Sequence, residues 1–162
     1  MGPEVIIGLG SNQGDREANL KSGMERLARL SQIDKVSSIY ETQAWGGGDQ
    51  PDFLNMVCLI SPNFDDPHEL LKALKQIEVD LGRDLEDQPN SPRPLDLDIL
   101  FWGAKVINSD DLIVPHPHIE QRRFVLEPLA EIAPDFRHPL LELTVKEMLA
   151  QCADEGKVLK MH

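Results

Sequence analysis

Apolar and polar positions recur along this chain with two periods, and the changes between them divide it into elements. Val5-Ile6-Ile7-Gly8-Leu9 is a short, β-branched run closed by Gly10-Ser11-Asn12, the pattern of a buried strand. Asp15 then stands as a helix cap. Leu20, Met24, Leu27, Ala28 and the flanking Leu30 follow at helical spacing, which predicts a helix from about Arg16 to Leu30. Val36 to Tyr40 and Phe53 to Ile60 read as the second and third strands, with Cys58 packed inside the third. Asp66, Pro67 and Glu69 open a second helix, Leu70, Leu74, Ile77 and Leu81 mark its buried stripe, and Gly82 closes it. Leu95 to Trp102 is strand-like, and Val106-Ile107 is expected to continue the sheet after a turn at Gly103. Phe124 to Ile132 predicts a short helix ended before Pro134, and Thr144 with Glu147 has the capping-box pattern of a last helix. After Gln151 the pattern supports only a tail. The order β-α-β-β-α-β predicts an α+β, ferredoxin-like fold, an antiparallel sheet with helices on one face, plus C-terminal helical additions.

Length and composition narrow the class without naming a chemistry. A chain of 162 residues with 41% apolar positions is expected to be one domain, residues 1–162, with a real core. Sixteen basic against 28 acidic residues give a formal charge of −12, which argues against nucleic acid or an anionic membrane as partner. Cys58 and Cys152 form no Cys-x-x-Cys pair, so neither a disulfide scaffold nor a cysteine-rich zinc site is expected. With no secretory signal pattern and no apolar run near ~20 residues, a cytoplasmic protein is the expectation. Two long loops interrupt the elements. Residues 42–52 hold three consecutive glycines and read as mobile, and residues 83–95 are polar and proline-punctuated.

The sharpest chemical feature is Pro92-Arg93-Pro94-Leu95-Asp96-Leu97-Asp98-Ile99-Leu100. In a strand, Asp96 and Asp98 share one face while Leu97 and Ile99 point into the core. Paired carboxylates repel unless a cation lies between them, and hard oxygen donors on a rigid strand suit Mg²⁺. Arg93 adds a fork that can hold phosphate oxygens bidentately. The plainer alternative is a solvated edge-strand face with two charges. Arg83, His116 and Arg122 could join the same site, whereas Arg123 reads as a surface charge. His116 and His118 lack a third soft ligand, which argues against zinc, and a lone proline-flanked histidine is commonly structural. Gly8-Leu9-Gly10 with Gly14 misses the dinucleotide fingerprint by one residue and reads as a turn. No phosphate-loop sequence and no nucleophile elbow is present.

These residues carry a resemblance. Gly8-Leu9-Gly10-Ser11-Asn12 with Gly14-Asp15, Ser37 to Thr42, Gln50 to Asn55, Ile77-Glu78, Gly82-Arg83, Pro92-Arg93 through Asp98, Val114-Pro115-His116, Arg122, Phe124, Pro128-Leu129 and Glu131 to Pro134 follow one another over nearly the whole chain. In that order the chain resembles the 6-hydroxymethyl-7,8-dihydropterin pyrophosphokinases, which pass pyrophosphate from ATP to a pterin alcohol in folate biosynthesis. The resemblance implies that Asp96 and Asp98 hold two Mg²⁺ ions, and that Arg83, Arg93, His116 and Arg122 lie along the ATP triphosphate with Glu78 near the nucleotide. It further implies that Asn55 hydrogen-bonds the pterin's amide edge, with backbone groups of Thr42 and the following loop completing that edge, while Phe53 and Phe124 sandwich its ring, for which core packing is the plainer alternative. Arg83, Arg93, Asp96 and Asp98 would then carry the catalysis, with ATP and the pterin as small-molecule substrates, no nucleic acid or membrane partner, and a monomer as the expected state. The sequence departs from the family at Leu85, where a second arginine is common, at Pro89-Asn90-Ser91, which lacks the usual basic residue and Trp-Gly, and at Asp111. The implied consequence is an active enzyme with an altered loop-closing step. Two other readings remain open: another Mg²⁺-dependent phosphoryl or nucleotidyl transferase on the same frame, or a catalytically silent pterin- or nucleotide-binding relative.

Overall fold

A computed structural model describes residues 3–42, 52–82 and 94–161. One sheet orders the molecule. Its strands β1 (Val5–Ser11), β4 (Phe53–Pro62), β5 (Asp96–Trp102), β3 (Tyr40–Thr42) and β8 (Val158–Lys160) lie in the order β5-β1-β4-β3-β8, while β2 (Ser31–Val36) pairs β4 beyond β3. All these pairings are antiparallel, the arrangement the β-α-β-β-α-β order predicts.

Alternation along the strands gives the sheet two apolar faces. Val5, Ile7 and Leu9 of β1, Met56 and Cys58 of β4, and Leu97 and Ile99 of β5 pack under helices α1 (Arg16–Leu30) and α2 (Pro67–Asp80). Leu20 and Leu27 of α1 and Leu70, Leu74 and Ile77 of α2 complete that core. Both helices begin as expected, Asp15 accepting from Ala18 N at 3.1 Å and Asp66 from His68 N at 2.9 Å. The C-terminal helices α3 (Arg123–Ile132) and α4 (Val145–Gln151) cover the opposite face, against Ile6, Val57, Leu100 and Phe101. A register shift between Ile6 and Ile7 leaves Leu100 without a partner on β1, and this bulge turns both Leu100 and Phe101 to the α3 side.

The second strand departs from the sequence reading. Instead of one strand from Val36 to Tyr40, the chain runs as β2, breaks at 37–39 and resumes as β3. Side chains supplement the backbone at the break, where Ser37 N still donates to Val57 O at 2.9 Å. Ser37 Oγ accepts from Val57 N at 2.9 Å, and Ser38 N donates to Glu131 Oε1 at 2.9 Å. Val106-Ile107 does not continue the sheet either, because Gly103 at φ +53° turns the chain away. Strand β6 (Ile107–Asn108) pairs β7 (Ile113–Val114) in a separate two-stranded sheet. Beyond Gln151, where only a tail was expected, β8 extends the main sheet.

Burial pushes the Cys58 thiol up to about 12, whereas Cys152 is half-buried. Iodoacetamide at pH 8 is therefore expected to alkylate the native protein at Cys152 alone, with Cys58 reacting only after unfolding; peptide mass spectrometry reads the two sites separately.

Candidate active site

The α3-facing side of the sheet is apolar near α4 and polar toward the ends of β1, β4 and β5. Alternation sets Leu97 and Ile99 into the core and leaves Asp96 and Asp98 half-buried on that polar end. Across the strands, Gly10 pairs with Asp96 on one side and Asn55 on the other, and Asn55 pairs with Tyr40. Asp96, Gly10, Asn55 and Tyr40 thus form one transverse row. Gly8 lies between Asp98 and Val57 in the same way.

The glycine in that row is required by close approach. A Cβ on Gly10 would stand 3.1 Å from Asn55 Oδ1 and 3.4 Å from Phe53 Cδ1. Gly8 and Gly10 lie inside β1, so they are strand residues that keep a floor open, and the turn expected at Gly10 is absent. Asn55 Nδ2 donates to Thr42 Oγ1 at 2.7 Å, which joins two of the expected pterin-side residues directly. Phe53 begins β4 beside them, and Phe124 stands in the first turn of α3 with the Arg122 guanidinium 6.0 Å from its ring centre.

The loop after β7 supplies the remaining side chains. The Val114–Pro115 bond is cis, and His116 N donates to Leu100 O at 2.9 Å, so this segment runs beside β5. His116 Nε2 lies 3.9 Å from Asp98 Oδ1, while its Nδ1 meets the carbonyl of Pro117 at 3.0 Å. Because a carbonyl can only accept, Nδ1 carries the proton there and Nε2 is the atom turned toward Asp98. Burial holds the His116 imidazole below its ordinary pKa. The Pro117 carbonyl opposes that shift, Arg122 adds to it, and Asp96 opposes it in turn. Asp96, Asp98, His116 and Arg122 are therefore one electrostatic neighbourhood.

Glu78 has a placement the sequence did not suggest. It is 2% exposed, on the inner side of α2, and its Oε2 accepts from Leu97 N at 2.7 Å. The carboxylate braces the peptide between the two aspartates from beneath. Arg83 and Arg93 lie outside the described residues, as do Leu85 and Pro89-Asn90-Ser91. Asp111, another departure, is engaged locally: it accepts from Ser109 Oγ at 2.9 Å and pairs with His68 Nδ1 at 3.1 Å.

Several residues that shape the site escaped the sequence reading. Arg16 Nη1 donates to Glu41 Oε2 at 2.8 Å and to Asp52 O at 2.9 Å, clasping the residues next to Thr42 and Phe53. Tyr40 OH and Ser38 Oγ both donate to Glu131 of α3, at 2.7 and 2.8 Å. Arg123 is no surface charge. Its Nε donates to Asp154 O at 2.9 Å and its backbone N to Asp154 Oδ2 at 3.1 Å. Periodicity marks apolar stripes and cannot reveal such pairs, whose members are distant in sequence.

The donor chemistry fits Mg²⁺. Two hard carboxylates at alternate positions of one strand suffice for an ion that fills its remaining positions with water and phosphate oxygens. Among the described residues no group of three His, Cys, Asp or Glu side chains forms a closed protein cage. Also among them, no helix is long and apolar enough to cross a membrane.

Comparison with known proteins identifies the family and the fold. Residues 6–134 match the family described as 7,8-dihydro-6-hydroxymethylpterin-pyrophosphokinase. The chain is 41% identical over 143 residues to the 2-amino-4-hydroxy-6-hydroxymethyldihydropteridine pyrophosphokinase of Aquifex aeolicus, covering 88% of each chain. It is 39% identical over 154 residues to the folic acid synthesis protein FOL1 of Dictyostelium discoideum, covering 95% of this chain but 23% of that longer one. In fold it is similar to the solved Plasmodium falciparum HPPK-DHPS with pterin and p-hydroxybenzoate. The TM-score is 0.72 at 16% identity, over 93% of this chain and 43% of the other. By its sequence, and with a fold to match, this chain belongs to the 7,8-dihydro-6-hydroxymethylpterin-pyrophosphokinase family, the pyrophosphokinases of folate biosynthesis.

Proposed function

We propose that this protein transfers pyrophosphate from ATP to the hydroxymethyl oxygen of 6-hydroxymethyl-7,8-dihydropterin and releases AMP. The observation that carries this reading is the transverse row Asp96–Gly10–Asn55–Tyr40. It separates a pair of carboxylates from a fixed amide by two inter-strand spacings, roughly 10 Å, across a glycine that leaves the floor open.

Asp96 and Asp98 would hold two Mg²⁺ ions, which when bound neutralise phosphate charge and favour in-line displacement. His116 and Arg122 stand beside them and would face the triphosphate, with Arg83 and Arg93 proposed along the same chain of phosphates. At the other end, Asn55 gives one N–H to Thr42 Oγ1, which sets its amide plane. Its second N–H and its oxygen then suit the donor–acceptor amide edge of the pterin. Phe53 and Phe124 would stack on the two faces of the bicycle. The bond from the hydroxymethyl oxygen to the β-phosphorus forms as the bond from that phosphorus to the α-phosphate oxygen breaks, and the hydroxyl proton passes to solvent. Positioning and charge stabilisation dominate such transfers, so the residues need supply no strong base. Glu78 serves this site through β5 and is a positioning residue. We further propose that the protein acts as a cytoplasmic monomer.

Incubation with ATP, Mg²⁺ and the pterin alcohol is expected to yield AMP and pterin pyrophosphate in equal amounts by chromatography. ADP in place of AMP would indicate a simple kinase. Tight pterin binding without product would indicate a silent relative.

A further inference from the structure

The C-terminal tail closes against the pterin end of the sheet. Strand β8 pairs the outer edge of β3 in the register Thr42↔Val158, Glu41↔Leu159 and Tyr40↔Lys160, so β3 is held between β4 and β8. Met161 N donates to Ile39 O at 2.7 Å, and alternation in an antiparallel ladder makes Leu159 the next donor toward β3. Without β8, the three residues of β3 would form the end of the sheet, with Thr42 at their tip. Two ties hold the tail in place. Asp154 receives the Arg123 backbone N–H at 3.1 Å and the Arg123 Nε at 2.9 Å, and Lys160 Nζ lies 4.0 Å from Glu131, the carboxylate that binds Tyr40 OH. The family match ends at residue 134, so β8 lies outside it.

We infer that β8 is a positioning element for pterin recognition: by pairing Glu41 and Thr42 it holds the Thr42 hydroxyl where it orients the Asn55 amide. This rests on the proposed pterin role of Thr42 and Asn55. Without the strand, β3 is paired on its β4 side alone, and the looser Thr42 hydroxyl lets the Asn55 amide sample orientations that do not match the ligand. The carboxylate pair on β5 sits across the sheet and is untouched.

The test compares the full-length chain with one ending at Lys157 and with the full-length variants Leu159→Pro and Leu159→Ala. Proline removes the N–H that alternation directs at β3, whereas alanine keeps the backbone and trims a side chain that is 59% exposed. Truncation and Leu159→Pro are expected to raise the pterin KM about five- to tenfold, the scale of one lost hydrogen bond, with the ATP KM within about twofold. Leu159→Ala should match full-length protein. A folded truncated protein with unchanged pterin KM and only a lower Tm overturns the inference, as does a parallel rise in both KM values. So does failure of both the truncated chain and Leu159→Pro to fold, because β8 is then simply part of the core fold. Pterin affinity by fluorescence titration is measured on the same proteins. If the full-length chain binds pterin but releases no AMP, the proposed reaction fails while the affinities still decide the role of β8. If it binds no pterin, both fail.

Discussion

Asp98→Ala is expected to lower AMP release at least about a thousandfold at saturating Mg²⁺ while leaving the protein folded. The two halves of that expectation have separate causes. Asp98 is 44% exposed, on the polar end of the sheet, so its removal opens no core cavity and relieves repulsion from Asp96. Thermal unfolding should therefore shift little. Under the proposed two-ion site, chemistry suffers because one remaining carboxylate would not hold both divalent ions against a triphosphate. The pterin KM should stay within about threefold, since Thr42, Asn55 and Phe53 lie on strands across Gly8 and Gly10. Asp98→Asn, which keeps shape and loses charge, should behave like alanine. Turnover above a tenth of wild type in either variant would sink the two-ion assignment.

Glu78→Ala is expected to damage both stability and turnover. Its carboxylate is buried and receives Leu97 N at 2.7 Å, so alanine leaves that amide without its acceptor at a cost of about 1–3 kcal/mol. The same loss releases the strand segment that spaces Asp96 from Asp98, and misplacement of order 1 Å at a reacting centre can cost about a hundredfold in rate. Glu78→Gln separates bracing from charge. Its amide oxygen can still accept from Leu97 N, so it should recover most of the stability and the turnover. If Glu78 instead met the nucleotide through its charge, glutamine would be as inactive as alanine. Urea unfolding and AMP release on the same preparations distinguish these outcomes.

The elements legible from the sequence are those whose signals are local. The helices at Arg16–Leu30 and Pro67–Asp80 agree with their stripes and caps, and the capping box at Thr144 and Glu147 is present. The alternation at Asp96–Ile99 was legible for the same reason: two polar and two apolar positions in a strand dictate opposite faces. Where partners are distant, legibility failed. The break at 37–39 depends on Ser37 reaching Val57 and Ser38 reaching Glu131, ninety-three positions away in sequence for the latter pair. Arg123 looked like a surface charge because Asp154, its partner, is supplied by a tail with no periodic pattern of its own.

The sequence by itself therefore determined the β-α-β-β-α-β order, the common face of Asp96 and Asp98, and the family. Periodicity and capping act over a few residues, and the family motifs keep their order along the chain. Only the tertiary structure decided that α3 and α4 cover the second face of the sheet, that Gly10 sets Asp96 and Asn55 into one row, and that Glu78 braces β5 from below. It also decided that the tail closes on β3. Each of these is a pairing between segments far apart in the chain, fixed by strand register and packing.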